Sequence, residues 1–254
     1  MNITKAKHAF DEKFSRFDED LELVDYLTAQ MENGQLSNQN CLLIGNLDKY
    51  ETLPRRTKKQ RAFARNRSLL ATHLKQSMYS SYIKDSYEEV TDYLRKILSN
   101  VLLGNDLARK KRVIGNNKLN VSANEIVSFE SIDILYSELA FRIIQQLEQE
   151  RSTLELIKKI VAKLGLTPND SLIKKSVNFL NVRHYLVHQD GICSDDFIDK
   201  VDKNIFKFNS KKYIRLNFEF IKEFRTSIIE LVEYLENELV SKNLIEDQFI
   251  HLNK

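Results

Sequence analysis

The stretch Asn178-Phe179-Leu180-Asn181-Val182-Arg183-His184-Tyr185-Leu186-Val187-His188-Gln189-Asp190-Gly191 gathers side chains suited to chemistry on a phosphate. One arginine and two histidines fall within six positions, in a chain with only five histidines, which sets this segment apart. A guanidinium offers a planar fork of donors that matches phosphate oxygens. Histidine is the side chain that exchanges a proton most readily near neutral pH. Three chemistries compete for such a set: metal binding, phosphate or RNA binding alone, and RNA cleavage. His184 and His188 are four apart, so on a helix they lie about 40° apart and share a face. A zinc site needs one or two further ligands, and the glutamate of an HExxH pattern is absent. Cys41 and Cys193 are far apart and match no metal spacing. No metal and no cofactor are therefore expected.

Other catalytic patterns are missing. Leu103-Gly104-Asn105 lacks the pattern of a phosphate-binding loop, and no Ser–His–Asp or Cys–His signature can be read from spacing. Cys193 follows His188 closely, but a lone cysteine there reads as incidental. Asn178 and Asn181 fall on the polar side of the segment and are candidate RNA contacts. Tyr185 reads as a packing residue.

The elements that must hold this segment read as helices. Six glycines and two prolines in 254 residues disfavour a turn-rich β-sandwich. A 42% hydrophobic content suffices for one large core. Residues 3–33 read as helix with an apolar stripe of Leu21, Leu23, Val24, Leu27 and Met31, stopped by Asn33-Gly34. Residues 35–60 are a polar connection. A long helix covers roughly 61–103 with Leu70, Leu74, Met78, Tyr82, Tyr87, Val90, Leu94, Ile97 and Val101 recurring along it, and Gly104 ends it. The segment 104–124 reads as polar, with a turn at Gly115-Asn116-Asn117. Ile132, Leu135, Leu139, Ile143 and Leu147 form the next helical pattern. Ser152-Thr153-Leu154-Glu155 has the spacing of a capping box, restarting a helix through Leu156, Ile160 and Leu164 to Gly165. Thr167-Pro168-Asn169-Asp170 opens the motif helix, which runs to about His188. Ser194-Asp195-Asp196 starts a short helix. Phe206-Lys207-Phe208 and Tyr213-Ile214-Arg215-Leu216, joined by Asn209-Ser210-Lys211-Lys212, predict a small β-hairpin. Asn217 caps a last helix with Phe220, Phe224, Ile228, Leu231, Leu235 and Leu239 on one stripe. The expected fold class is all-α, a helical bundle with a minor β-hairpin before the C-terminal helix. One domain spans 1–254: an N-terminal helical extension and connection over 1–60, and the bundle over 61–245.

Arg183-x4-His188 resembles the R-x4-6-H motif of HEPN-domain ribonucleases, and the polar His184 after the arginine is typical of it. The surroundings agree. In that family the motif histidine lies at the end of a helix, often followed by a glycine, here Gly191. A short helix and a long amphipathic helix come next. The order here looks most like the RiboL-PSP-like branch. The helix around Tyr87-Glu88 matches the position of an earlier bundle helix that often carries a glutamate. The resemblance covers roughly residues 65–245.

The resemblance implies a metal-independent endoribonuclease working as a homodimer, with two motif helices meeting at a shared cleft. Arg183 and His188 are five apart, about 140° around a helix, so a single helix does not bring them together well. Long side chains, fraying near Gly191 or a second copy must do so. In the implied mechanism His188 takes the proton from a 2′-hydroxyl, whose oxygen attacks the adjacent phosphate. Arg183 holds that phosphate, and a histidine of either protomer protonates the leaving 5′-oxygen, giving a 2′,3′-cyclic phosphate. His184 is a second proton carrier or phosphate contact, or a plain helix-face residue. The family suggests a toxin or anti-phage defence effector with an antitoxin or regulatory partner. The alternative is a non-catalytic HEPN-type module that dimerises and binds RNA or nucleotide.

Composition adds bounds. A net charge of +3 does not by itself demand nucleic acid, but residues 54–67 carry seven basic side chains and no acidic one, and Arg109-Lys110-Lys111-Arg112 forms a second cluster. Either cluster is a phosphate contact or a solvated face. No stretch approaches the roughly 18 apolar residues of a membrane span, and the first residues lack the apolar run of a secretory signal. With two isolated cysteines, a reducing, cytoplasmic location is expected.

Overall fold

The computed structural model describes residues 2–33, 35, 64–116, 121–148, 152–245 and 248–250. Cys41, the connection over 36–60 and the basic run 54–67 lie outside what is described, apart from the helical backbone of 64–67. The fold is all-α. In chain order its elements are β1 (Asn2–Thr4), α1 (Lys5–Glu32), α2 (Ala64–Leu103), α3 (Leu107–Ile114), α4 (Ala123–Ser128), α5 (Ile132–Glu148), α6 (Thr153–Leu164), α7 (Asp170–His188), α8 (Asp195–Lys200), α9 (Phe218–Ser241) and β2 (Gln248–Ile250). No helix among the described residues is long and apolar enough to cross a membrane.

The chain divides into two compact units, Ser15–Tyr82, and Met1–Phe14 together with Ile83–Lys254. In the first, Leu21, Thr28, Ala71, Tyr79 and Tyr82 are buried. The Tyr82 ring meets Phe17 edge-on at 6.1 Å, and its hydroxyl donates to Asp18 at 3.1 Å. Leu23, expected in the stripe, is 56% exposed. Two residues from Leu21 is about 160° around a helix, so the two cannot share a face.

The second unit holds the motif helix. α7 packs on α9 and α6. Ile173, Ser176, Val177 and Leu180 recur at helical spacing and are buried, as is the whole expected α9 stripe from Phe220 to Leu239. Between α7 and α9, Ser176 donates to the Ser227 carbonyl at 2.9 Å. α6 ends at Gly165 in the left-handed conformation, φ +71, as the sequence predicts. Asn169 caps α7 by accepting from the Leu172 amide.

Several elements differ from expectation. The segment 104–124 contains two helices, α3 and α4, rather than only polar chain. In α3 only Val113 is buried and Arg109 to Arg112 are all basic, so there is no apolar stripe to read. Three of its four basic side chains are engaged within the protein. Arg112 donates to the Lys163 and Leu164 carbonyls at 3.0 and 2.8 Å, closing the C-terminus of α6, where positive charge is favoured. Arg109 pairs with Asp106 at 2.9 Å and reaches the Asn243 carbonyl, and Lys110 sits over the Tyr136 ring. The capping box forms at Ser122–Glu125, not at Ser152, whose side chain makes no cap hydrogen bond. The hairpin is narrow, a single antiparallel bridge between Phe208 and Ile214. A further two-stranded pairing, β1 with β2, joins the two ends of the described chain. It is secured by the buried Glu236 of α9, which accepts from the amide and hydroxyl of Thr4 and, at 3.0 Å, from the Tyr93 hydroxyl.

Candidate functional site

α7 emerges from the core in its last two turns. Phe179, Leu180 and Val182 are buried, whereas His184, Val187 and His188 are exposed. The end of the helix is closed tightly. The amides of Gln189 and Gly191 both donate to the Tyr185 carbonyl, at 3.1 and 2.9 Å. Asp190 and Gly191 both have positive φ, at 50° and 85°, which turns the chain back sharply. A run of aromatic contacts anchors this end. Tyr185 packs on Phe197 with centroids 4.8 Å apart, Phe197 on Phe206 at 6.0 Å, and Phe206 on Phe179 at 4.8 Å. The Tyr185 hydroxyl also lies 2.9 Å from Ser194 Oγ. Tyr185 is thus a packing residue, as expected, and it ties α8 to the motif helix.

The histidines come together. Their ring centroids are 5.1 Å apart, tilted by 48°, on the solvent side. Two imidazoles so placed offer an acceptor and a donor of protons within one chain. Among the described residues no three His, Cys, Asp or Glu side chains are grouped to hold a metal ion.

Arg183 turns away from them. Its guanidinium carbon lies 5.1 Å from the centroid of the Tyr87 ring on α2. Its Nε is buried without a hydrogen-bond partner, and the side chain forms no ion pair among the described residues. A buried donor left unpaired costs about 1–3 kcal/mol, which the aromatic contact offsets in part. Arg183 and Tyr87 line a cleft of about 430 Å³ with Lys13, Glu88, Glu89, Thr91, Asp92 and Arg95. Most charges there are already matched. Lys13 meets Glu89 at 2.6 Å, and Asp92 pairs with Arg95 and with Lys96 at 2.7 Å. Burial raises the Asp92 carboxyl, but the hydrogen bonds and charges of Lys96 and Arg95 outweigh it and hold the group below its ordinary value. The arginine is therefore held by an aromatic plane rather than by a carboxylate, which leaves its outer donors for an anion.

Asn178 and Asn181 are half-buried on α7. Asn181 lies three residues before His184 and seven before His188, so it shares their face, and Asn178 lies toward its edge. Cys193 is buried against the Gly191 carbonyl, and burial pushes its thiol up to about 11, the state of an inert thiol. Tyr87 is the site residue whose contact sequence reading did not find. The resemblance matches the Tyr87-Glu88 helix to an earlier bundle helix of the family, and nothing in linear spacing joins Tyr87 to Arg183.

Comparison with family models, with curated proteins and with solved structures finds no match for this chain.

Proposed function

We propose that the protein is a HEPN-type, metal-independent endoribonuclease. The observation that carries the reading is the exposed His184–His188 pair at the end of α7, on a helix whose Arg183 no carboxylate neutralises among the described residues. His188 takes the 2′-hydroxyl proton and the 2′-oxygen attacks phosphorus. The bond to the 5′-oxygen breaks, and a second imidazole, His184 of the same chain or a histidine of a second copy, returns a proton to it. Arg183 stabilises the charge on the phosphate. Because Arg183 and the histidines diverge within one chain, the complete site is built by a homodimer through α7. Val187, 40% exposed beside the histidine pair, supplies apolar area for that contact. The biological setting of this reading is a cytoplasmic toxin or anti-phage effector, restrained by an antitoxin or regulator.

The divergence of Arg183 from His188 also favours a second reading, a non-catalytic dimerising module that binds RNA or nucleotide through Arg183.

One assay separates the two. Wild type, Arg183→Ala and His188→Ala are incubated with RNA in EDTA and the product ends analysed. Cleavage by wild type alone, leaving cyclic phosphate or 3′-phosphate ends and sparing DNA, is the expected result. A folded, dimeric wild type that binds RNA without cutting it would establish the binding module instead.

A further inference from the structure

The turn that follows α8 is docked onto the end of the motif helix. Ile192 and Tyr213 form an antiparallel bridge, the Ile214 amide donates to the Gly191 carbonyl at 3.1 Å, and the Cys193 amide donates to the Lys212 carbonyl at 3.0 Å. Side chains alternate along this segment. Phe206, Ile214 and Leu216 point into the core, and Lys207, Tyr213 and Arg215 are exposed on the other side. The Arg215 amide donates to the Lys207 carbonyl at 2.8 Å, so these two cations are cross-strand neighbours. Lys211 stands at the tip.

The charges here fall into two groups. Lys200, Lys203 and Lys212 are paired with Asp196, Asp199 and Asp195. Lys207, Lys211 and Arg215 form no ion pair among the described residues, although Lys207 Nζ donates to the Lys203 carbonyl at 3.0 Å. Tyr213, 37% exposed, lies among these cations. Asp190 is exposed at the end of α7, and Asp195 at the start of α8 pairs with Lys212 at 2.7 Å.

We propose that this outer face of residues 207–215 binds single-stranded RNA, carrying the strand to or from the histidines at the end of α7. The proposal rests on the nuclease reading for its direction. Uncommitted cations track a phosphate backbone, and a half-exposed aromatic ring gives an unstacked base a surface to lie on. A duplex offers phosphates but no free base face. A protein partner would gain little from the lysine at the tip, since lysine is depleted at protein interfaces.

The test uses the full chain and a fluorescent oligoribonucleotide of about a dozen residues, fully 2′-O-methylated so that no 2′-hydroxyl can attack. Affinity is read by anisotropy over a range of salt. The triple variant Lys207→Gln/Lys211→Gln/Arg215→Gln is expected to bind at least about tenfold more weakly at low salt, with a log–log salt slope shallower by about 2, since each single-strand phosphate contact contributes roughly 0.7. Tyr213→Ser is expected to lose roughly fivefold on the single strand and nothing on a duplex of the same sequence. A triple variant with wild-type affinity and slope, or a wild type that does not bind, would overturn the proposal. The two readings fail separately. Binding by this face without cleavage of ordinary RNA leaves the surface and removes the nuclease. Cleavage with an unchanged KM in the triple variant leaves the nuclease and removes the surface.

Discussion

The Arg183 guanidinium carbon lies over the Tyr87 ring, 5.1 Å from its centroid, although one residue belongs to α7 and the other to α2. The contact orients the arginine without neutralising it. A carboxylate in place of Tyr87 would have held the side chain equally well and cancelled the charge a phosphate needs. Tyr87 is thus a positioning residue for the proposed site.

Replacing Tyr87 by Leu is expected to lower kcat/KM for RNA about fivefold, the equivalent of roughly 1 kcal/mol of cation–π stabilisation. Tyr87→Phe keeps the ring and should stay close to wild type. Equal rates for the Leu and Phe variants would show that the ring does not orient Arg183.

Glu236 joins α9 to β1 and to Tyr93 inside the core. With Ala at this position the Thr4 amide, the Thr4 hydroxyl and the Tyr93 hydroxyl lose their acceptor. Unpaired buried donors cost about 1–3 kcal/mol each where water does not reach them. Urea denaturation of Glu236→Ala should show a loss of at least that size, and Thr4→Val a smaller one. An unchanged midpoint for Glu236→Ala would mean that β1 does not dock in solution.

Acid should weaken the attachment of the 165–169 turn to α9. The Glu238 carboxylate accepts from Lys242 Nζ and from the Thr167 amide, at 2.9 and 2.8 Å, and these partners lower its pKa from 4.5 to about 2. A carboxyl whose folded value is depressed stabilises the fold fully above its unfolded value and loses that contribution as pH falls through the folded one. Wild type should therefore be more stable than Glu238→Gln at neutral pH, and the gap should close between pH 4.5 and about 2. Denaturation midpoints measured across that range give the answer, and a gap independent of pH would refute it.

Cys193 should resist iodoacetamide at neutral pH, because its thiol is buried and its pKa is pushed up to about 11. Peptide-level mass spectrometry is expected to find Cys193 labelled only after unfolding. Rapid labelling of Cys193 itself in the folded protein, with loss of RNA cleavage, would make it a functional candidate.

The limits of α6, α7 and α9 were legible in the sequence because they are local. Asn169 and Asn217 cap the first turns of α7 and α9, Gly165 supplies a left-handed stop, and the stripe from Phe220 to Leu239 repeats at helical spacing. All of these signals act within about one helical turn. The same locality made His184 and His188 readable as a pair on one face.

Tertiary structure decided the rest. Helices α3 and α4 bury almost nothing, so they leave no apolar period, and their caps alone are weak signals. The strands β1 and β2 are three residues each, too short to alternate, and exist only because the ends of the described chain meet. The direction of Arg183 was open on helical geometry alone and was settled by Tyr87, a distant residue in the sequence. The place of Lys207 and Arg215 beside the motif depends on the bridge from Ile192 to Tyr213. The sequence by itself determined the longer helices and the chemical repertoire at the end of α7, because caps and periodicity are short-range. Which groups converge and which diverge was decided only by packing, since that depends on side chains that become neighbours after the chain has folded.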